Sequence, residues 1–147
     1  MTNGEKCGLC GTFYEYRKTE TWTKGDVECD IAECEVAFAI VQRDRKEILI
    51  CETCYIEGRM EPVLSRSQLR GAFYQFGLEF SKAGEFDKAR SALMKSLEVE
   101  ETADSVAALA YVEEALGHRM KAVTLYQKAL AIQPEHFMAK ANLKKLL

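Results

Sequence analysis

Residues 70–102 read RGAFYQFGLEFSKAGEFDKARSALMKSLEVEET, and residues 103–135 repeat their pattern as ADSVAALAYVEEALGHRMKAVTLYQKALAIQPE. Shifting the first stretch by 33 residues aligns glycine, alanine, lysine and aliphatic positions of the two, namely Gly84 with Gly117, Ala89 with Ala122, Lys95 with Lys128, Leu97 with Leu130 and Val99 with Ile132. A period of this length is typical of stacked helical hairpins. Each unit is therefore predicted to hold one amphipathic helix that runs to the glycine and a second that begins shortly after it.

The flanks of the two units mark where the helical region begins and ends. Ser65 and Gln68 have the spacing of a capping box, which predicts a helix start near Arg66. Residues 137–147 form a last amphipathic segment that is expected to seal the array, with four residues facing inward: Phe137, Ala141, Leu143 and Leu147.

The repeat pattern resembles that of tetratricopeptide repeats. The first unit, about 70–102, has the aromatic and small residues expected by that family, namely Phe73, Phe76, Gly77, Phe80, Gly84, Phe86, Ala89, Leu93 and Ser96. The second unit, about 103–136, keeps Leu109, Ala110, Gly117, Ala122, Tyr126, Ala129 and Pro134, and it departs from the family at Val106 and Glu113, where larger residues are usual.

This resemblance implies a protein-binding solenoid whose first helices line a concave groove. The groove is expected to present eight residues: Tyr74, Leu78, Lys82, Ala107, Tyr111, Glu114, Met138 and Asn142. Some members of the family hold a partner's carboxylate with a basic clamp. Here Tyr74, Leu78 and Ala108 occupy clamp positions and only Asn142 is compatible, so a mixed groove without a clamp is predicted. Packing of the groove aromatics against a neighbouring domain is the alternative.

All six cysteines lie in the first 54 residues, at positions 7, 10, 29, 34, 51 and 54. Cys7 and Cys10 form one C-x-x-C pair, and Cys51 and Cys54 form another. Two such pairs supply four sulfur ligands to a tetrahedral ion and leave no position open for substrate. The sequence therefore predicts one structural zinc per chain, with iron as a less favoured metal that would make the module an electron carrier.

The segment between the two pairs is predicted to be β structure. Four strands are expected, at residues 12–16, 19–23, 34–42 and 47–51. In the third, Cys34, Val36, Phe38 and Ile40 alternate with Glu35, Ala37, Ala39 and Val41, which predicts an apolar face formed by the first set. A polar turn at residues 44–46 would then return Cys51 to the first pair.

With its Cys-Gly-Leu-Cys-Gly motif, the module at residues 7–54 resembles a zinc ribbon or, more loosely, a rubredoxin-like pair of knuckles. The fold class expected for the whole chain is α+β in two domains. Residues 1–58 are predicted to form a small antiparallel zinc-ribbon-like domain, 59–67 a linker that contains Pro62, and 68–147 an all-α helical-hairpin array.

Cys29 and Cys34 have a spacing that matches neither pair. Free or core thiols are the preferred interpretation, because buried cysteine behaves as a small hydrophobic residue. A second metal site, exchange with a ligand of the first site, and a disulfide between the two remain alternatives. A dithiol active site at Cys7 and Cys10 is disfavoured, since strand-forming residues rather than a helix follow it.

Composition and charge bear on the class of function. Residues 1–67 hold nine Lys/Arg and 13 Asp/Glu, and residues 68–147 hold 11 and ten, so neither half has the basic excess of a nucleic-acid module. Phe13, Tyr14, Tyr16 and Trp22 are accordingly interpreted as core residues, with a base-stacking platform as the alternative. No apolar run is long enough to span a membrane, and no signal sequence is recognised, so a cytoplasmic protein is expected.

No catalytic motif was found, and His118 and His136, the chain's two histidines, are both expected at the surface. The leading hypothesis is a cytoplasmic, non-enzymatic adaptor or assembly factor that binds a protein or peptide and is also capable of self-association. The alternatives are a zinc-ribbon factor that contacts nucleic acid or the transcription or translation apparatus, and a rubredoxin-like electron carrier or thiol sensor.

Overall fold

The computed structural model describes residues 3–147, except for eight side chains in one β-hairpin, those of Lys18, Glu20, Trp22, Lys24, Val27, Cys29, Asp30 and Ile31. The chain divides into two compact units, Met1–Met60 and Glu61–Leu147. The first contains strands and one short helix, and the second contains five helices among its described residues. The predicted α+β class, with small antiparallel sheets followed by a helical array, is confirmed.

The first unit contains two small antiparallel sheets. Strands β1 (Gly4–Lys6), β2 (Phe13–Lys24) and β3 (Val27–Cys34) form a sheet in which β2 is central. Strands β4 (Phe38–Arg43) and β5 (Lys46–Cys51) form a hairpin that turns at Asp44 and Arg45, both of which have a positive φ. Helix α1 (Glu52–Ile56) follows β5 directly.

The strand prediction is wrong in several details. The first two predicted strands are one continuous strand, β2. The third was predicted to start at Cys34 but begins at Phe38, as β4, and strands β1 and β3 were not predicted. The predicted apolar face is also inverted in β4, where Ala39 and Val41 are buried and Ile40 is 46% exposed. Apolar residues occupy both faces of this segment, so alternation alone does not say which face is buried.

The second unit is an array of antiparallel helices. Its helices are α2 (Arg66–Lys82), α3 (Phe86–Val99), α4 (Ala103–Ala115), α5 (Arg119–Ile132) and α6 (Phe137–Leu146). Helix α2 begins at the predicted capping box, in which the Ser65 side chain accepts from the Gln68 backbone N–H and the Gln68 side chain accepts from the Ser65 N–H.

The two helical hairpins turn in the same way. Gly84 and Gly117 have φ values of 77° and 86°, a left-handed conformation that glycine adopts without a steric penalty. In both turns the N–H after the glycine donates to the carbonyl five residues earlier, from Glu85 to Phe80 and from His118 to Glu113. The 33-residue period thus corresponds to a repeated backbone motif.

Small residues allow the paired helices to approach closely. A Cβ added to Gly77 in α2 would lie 2.5 Å from two side-chain atoms of Leu93 in α3. Between α4, α5 and α6, the fully buried residues form one cluster with Tyr126 at its centre, consisting of Val106, Ala107, Ala110, Ala122, Tyr126, Ala129 and Ala139. Leu143 packs against this cluster, as predicted.

The last helix differs from the prediction at both ends. Phe137 is 85% exposed and Leu147 is 81% exposed, so neither faces inward. His136 was expected at the surface but is 7% exposed, because it caps α6. Its Nδ1 accepts from the Ala139 N–H, and its Nε2 lies 2.7 Å from Asp104 Oδ1. His118 is exposed, as expected.

Across the part of the chain that the structure describes, none of the helices has the length and apolar character needed to cross a membrane.

Candidate functional site

The first cysteine pair sits in a turn that points amide groups at sulfur. The backbone N–H groups of Leu9 and Cys10 lie 3.4 and 3.5 Å from Cys7 Sγ, and the Cys51 N–H lies 3.4 Å from the same sulfur. Hydrogen bonds from backbone N–H groups are stronger when the acceptor is ionised, as a metal-bound sulfur is. The turn is therefore suited to hold Cys7 as a metal ligand.

Glycine is needed in this turn for two reasons. Gly11 has a φ of 76°. Gly8 lies against β5, where its N–H donates to the Leu49 carbonyl at 2.6 Å and an added Cβ would lie 2.1 Å from a methyl of Ile48. The β4–β5 hairpin thus packs directly on the first cysteine turn.

The same hairpin delivers the second pair. Cys51 is the last residue of β5 and Cys54 lies in α1, which starts immediately after it. The sequence did not predict α1. The helical turn places the Cys51 and Cys54 side chains on the same side, since residues three apart are neighbours on a helix.

All four sulfur atoms of the predicted site lie within 4.8 Å of one another. The Cys7–Cys54 sulfurs are 3.6 Å apart and the Cys10–Cys51 sulfurs 3.9 Å apart. A zinc ion with bonds of about 2.3 Å to four thiolates requires sulfur separations of roughly 3.8 Å. The four close cysteines could therefore hold a metal ion, and the donor set and spacing fit tetrahedral coordination.

The four thiols have different surroundings. Cys7, Cys51 and Cys54 are buried, whereas Cys10 is partly exposed. Burial raises the pKa of the Cys51 and Cys54 thiols. Hydrogen bonds from the Thr12 side chain and backbone lower the pKa of the Cys10 thiol to about 6. The cluster thus has one accessible ligand and three ligands shielded from solvent.

Tyr14 reaches the cluster from the three-stranded sheet. Its hydroxyl lies 3.5 Å from Cys51 Sγ and 3.3 Å from Thr53 Oγ1. The ring packs edge-on against Phe38, with centroids 5.8 Å apart. Sequence reasoning treated Tyr14 as a core aromatic and missed this contact, since it depends on how the β1–β2–β3 sheet packs against the β4–β5 hairpin.

The two remaining cysteines are separated by the strand that carries them. Cys34 is a partly buried free thiol whose Sγ lies 3.1 Å from the Tyr14 carbonyl oxygen, in agreement with the preferred interpretation. The Cys29 and Trp22 side chains lie outside the described residues. Five strand residues place the two Cα atoms about 16 Å apart, whereas a disulfide needs less than about 7 Å. A Cys29–Cys34 disulfide is therefore incompatible with this strand.

In the second unit, several residues of α2, α4 and α6 were predicted to line a groove. In the structure, some of them belong to two polar groups. In the first, Tyr74 lies near Asp104, which binds His136 at the start of α6. Burial, followed by the Asp104 charge, raises the pKa of Tyr74. The Asp104–His136 hydrogen bond joins α4 to the start of α6, and Tyr74 of α2 lies within reach of the Asp104 charge.

The second polar group surrounds the hydroxyl of Tyr126. Asn142 donates to this oxygen at 3.1 Å, and Glu114 and Tyr111 are close enough to affect its ionisation. Burial first, and then the negative charge of Glu114, raise the pKa of Tyr126 to about 12. Tyr111 is 44% exposed and so offers a contact surface.

Ala107 does not belong to this surface. It is 0% exposed and lies in the core cluster around Tyr126, so its prediction as a groove residue is wrong. A one-residue change in helical position turns a side chain by about 100°, which a pattern of alanines cannot resolve. Of the other predicted groove residues, Leu78 is partly buried, Met138 is 36% exposed, and Lys82 pairs with Glu79 at 3.3 Å.

Glu113, flagged in the sequence as a departure from the repeat pattern, is buried in an ion-pair network. Its carboxylate lies 2.8 Å from Arg90 Nε and 2.6 Å from His118 Nδ1. Burial alone would raise the pKa of this carboxyl, but the hydrogen bonds from His118 and Arg90 outweigh it and lower the pKa. The network joins α3, α4 and the turn before α5.

A comparison with protein-family models matches residues 71–102 to the tetratricopeptide repeat. The first hairpin, α2 and α3, thus corresponds to the repeat that the sequence pattern indicated. A sequence comparison with curated proteins gave no match.

Among solved structures, the chain is similar to the crystal structure of a thermophilic TPR protein from Thermus thermophilus. The TM-score is 0.51 and the sequence identity 27%, and the alignment covers 60% of this chain. It spans 43% of the Thermus protein, less than half of its length. The helical array therefore has the tetratricopeptide repeat fold.

Proposed function

We propose that this protein is a non-enzymatic interaction adaptor or assembly factor. A structural zinc ion holds its N-terminal unit, and the face formed by α2, α4 and α6 binds a protein or peptide partner. The observation that carries the proposal is the tetratricopeptide repeat at residues 71–102, embedded in an array with the same fold. Repeat arrays of this kind present extended surfaces to other proteins.

Zinc is the metal we propose because four thiolates in a closed arrangement suit it best. Four protein ligands leave no position for a substrate, which supports a structural role and a non-enzymatic protein. Short-spaced cysteine pairs more often bind metal in reducing compartments, where disulfides are rare, and we propose the cytoplasm as the setting.

The groove chemistry supports a partner with both apolar and polar side chains. Tyr111 and Met138 supply exposed apolar area, whereas Glu114 and Asn142 supply an acceptor and a donor close to Tyr126. Tyrosine is enriched at binding hot spots because it contributes a large contact area and a hydrogen-bonding hydroxyl. We therefore expect Tyr111 to dominate partner binding.

The partner-binding role is tested by affinity capture from the native host with three forms of the full chain. The Tyr111→Ala variant removes an exposed side chain from α4, and Met94→Ala removes one that is 50% exposed from α3, outside the proposed groove. A specific protein should be recovered with the wild type and Met94→Ala and lost with Tyr111→Ala. Equal recovery with both variants would exclude the groove as the binding surface.

The metal role is tested by native mass spectrometry of untagged protein purified without chelators. One zinc per chain is expected. Iron would instead favour an electron carrier, and two metal ions would bring in cysteines beyond the cluster at Cys7, Cys10, Cys51 and Cys54. A metal-free chain under reducing conditions would exclude the zinc module. The same spectrum reports self-association.

A further inference from the structure

Tyr14 is held in place from three directions. Its backbone pairs with Glu5 of β1, and its carbonyl oxygen lies 3.1 Å from Cys34 Sγ. Its ring packs edge-on against Phe38 of β4. The hydroxyl is thus fixed by the two sheets and has little freedom to turn away from the cysteine cluster.

The hydroxyl has two neighbours with different requirements. Cys51 Sγ, at 3.5 Å, can only accept a hydrogen bond once it is a metal-bound thiolate. Thr53 Oγ1, at 3.3 Å, can donate or accept. When metal is bound, the consistent arrangement is therefore a chain in which Thr53 donates to the phenol oxygen and the phenol donates to the sulfur.

We propose that Tyr14 is a positioning residue of the metal site, whose phenol O–H donates to the Cys51 thiolate and tunes its charge. The inference rests on the proposed metal-binding function. It adds to the four cysteines a fifth residue that contributes to the site without binding the metal. This residue lies 37 positions before Cys51 in the sequence.

The other sulfurs have hydrogen-bonding neighbours of their own, and Cys51 has the Cys54 backbone N–H besides the Tyr14 hydroxyl. Cys7 Sγ accepts from three backbone N–H groups, and Cys10 Sγ lies 3.4 Å from Thr12 Oγ1. Four thiolates around a divalent cation carry a net charge of −2, and burial makes uncompensated charge costly. Tyr14 supplies a side-chain donor to a buried sulfur at the inner side of the cluster.

The test uses the full chain loaded with Co²⁺, which takes tetrahedral thiolate sites and gives a thiolate-to-metal charge-transfer band. Tyr14→Phe retains the ring that packs on Phe38 and removes only the hydroxyl. Tyr16→Phe is the matched control. It lies on the same strand and loses a hydroxyl that bonds to Glu5, and its neighbouring cysteine is Cys34, which is not one of the four proposed ligands.

In Tyr14→Phe, the charge-transfer band is expected to move to longer wavelength, because a thiolate that loses one of its donors gives up an electron more easily. Release of zinc to a chelator should be on the order of 10-fold faster, the usual effect of losing an outer-shell partner of a metal ligand. Tyr16→Phe should match the wild type in both measurements.

Equal band positions for Tyr14→Phe and Tyr16→Phe would overturn the role of Tyr14 and leave the metal site intact. Failure of the wild type to bind Co²⁺ or zinc would overturn both the proposed metal site and the proposed role of Tyr14. Should Tyr14→Phe fold poorly, Thr53→Val keeps the phenol and removes its supporting hydroxyl. A smaller shift in the same direction would then support the inference, and no shift would oppose it.

Discussion

The two units of this protein are stabilised in different ways. Among the side chains that the structure describes in the first unit, three of the buried residues are cysteines of the cluster, and the larger buried apolar ones are Val41, Ile50, Tyr55 and Met60. The second unit buries larger side chains, namely Phe73, Phe76, Phe80, Leu93 and Tyr126. Small residues lie beside Leu93 and Tyr126. The first unit is thus expected to depend on the cysteine cluster, and the second on packing between successive helices.

This difference follows from size and secondary structure. A unit of about 60 residues buries a smaller share of its surface than a larger domain, so its stability is marginal and a metal ion is a common addition to such domains. Helical hairpins bury a stripe of each helix against the next and gain stability with each neighbour. Perturbations should therefore act on one unit and spare the other.

The largest expected effect is that of metal removal. Structural zinc contributes about 10–16 kcal/mol of apparent binding free energy, which is folding free energy for a small module. A strong chelator, or Cys54→Ser, should unfold residues 4–60 and leave the helical circular dichroism signal largely unchanged. Two-dimensional NMR would show collapse of the β-strand resonances alone. Parallel loss of the helices would contradict independent stabilisation.

The next effect is expected in the second unit. Leu93→Ala should lower the free energy of unfolding by about 2–5 kcal/mol, since Leu93 is fully buried beside Gly77. Chemical denaturation followed by the helical signal measures it, while the metal content should stay unchanged.

A double variant sharpens this prediction. Gly77→Ala alone places a Cβ 2.5 Å from Leu93 and should destabilise, whereas in Leu93→Ala the same methyl fills vacated space. The two changes should thus be less damaging together than their separate effects imply. Gly71→Ala, on the same helix with open space around it, serves as the control. Additive effects would contradict the packing described for α2 and α3.

A smaller, pH-dependent effect is expected at Glu113. Glu113→Gln should cost about 1–2 kcal/mol at pH 7, because a buried charge-assisted hydrogen bond is lost. The pKa of Glu113 lies below its usual value of 4.5, so the carboxylate contributes stability above that pH and loses it as the pH falls through the lowered pKa. The difference between wild type and variant should shrink below about pH 4.5.

Glu79→Gln is a suitable comparison for that experiment. Glu79 pairs with Lys82 on the surface of α2, where an ion pair contributes little. It should change the free energy of unfolding by less than about 0.5 kcal/mol across the same pH range. A constant difference at all pH values for Glu113→Gln would show that its charge does not stabilise the fold.

The smallest effect is expected from Cys34→Ser. Cys34 lies outside the four-sulfur cluster, and serine can also donate to the Tyr14 carbonyl. Metal stoichiometry by native mass spectrometry should remain at one per chain, with little change in stability. A lower stoichiometry would mean that Cys34 takes part in metal binding.

The sequence predicted the features that depend on the local spacing of residues. Both cysteine pairs, the capping box at Ser65 and the repeated turns at Gly84 and Gly117 are local patterns, and the structure has each of them. The sequence could not predict which face of a strand or helix is buried where both faces are apolar. For that reason Ile40 was placed inside and Ala107 outside, the reverse of the structure.

Contacts between residues far apart in the sequence were also not predicted. His136 caps α6 and also bonds to Asp104, 32 residues earlier, and Tyr14 of one sheet meets Cys51 of the other. No local pattern identifies such partners. The exposure of Phe137 likewise depends on which residues pack against α6, and the sequence of α6 alone does not specify them.

Glu113 and Glu114 are adjacent in the chain, yet one is buried in an ion-pair network and the other lies beside Tyr126 on the proposed groove. A cellular screen that records both protein abundance and partner recruitment should therefore distinguish substitutions at these two adjacent residues. Substitutions at Glu113 are expected to reduce recruitment by lowering the amount of folded protein. Substitutions at Glu114 are expected to reduce recruitment while the protein level stays the same.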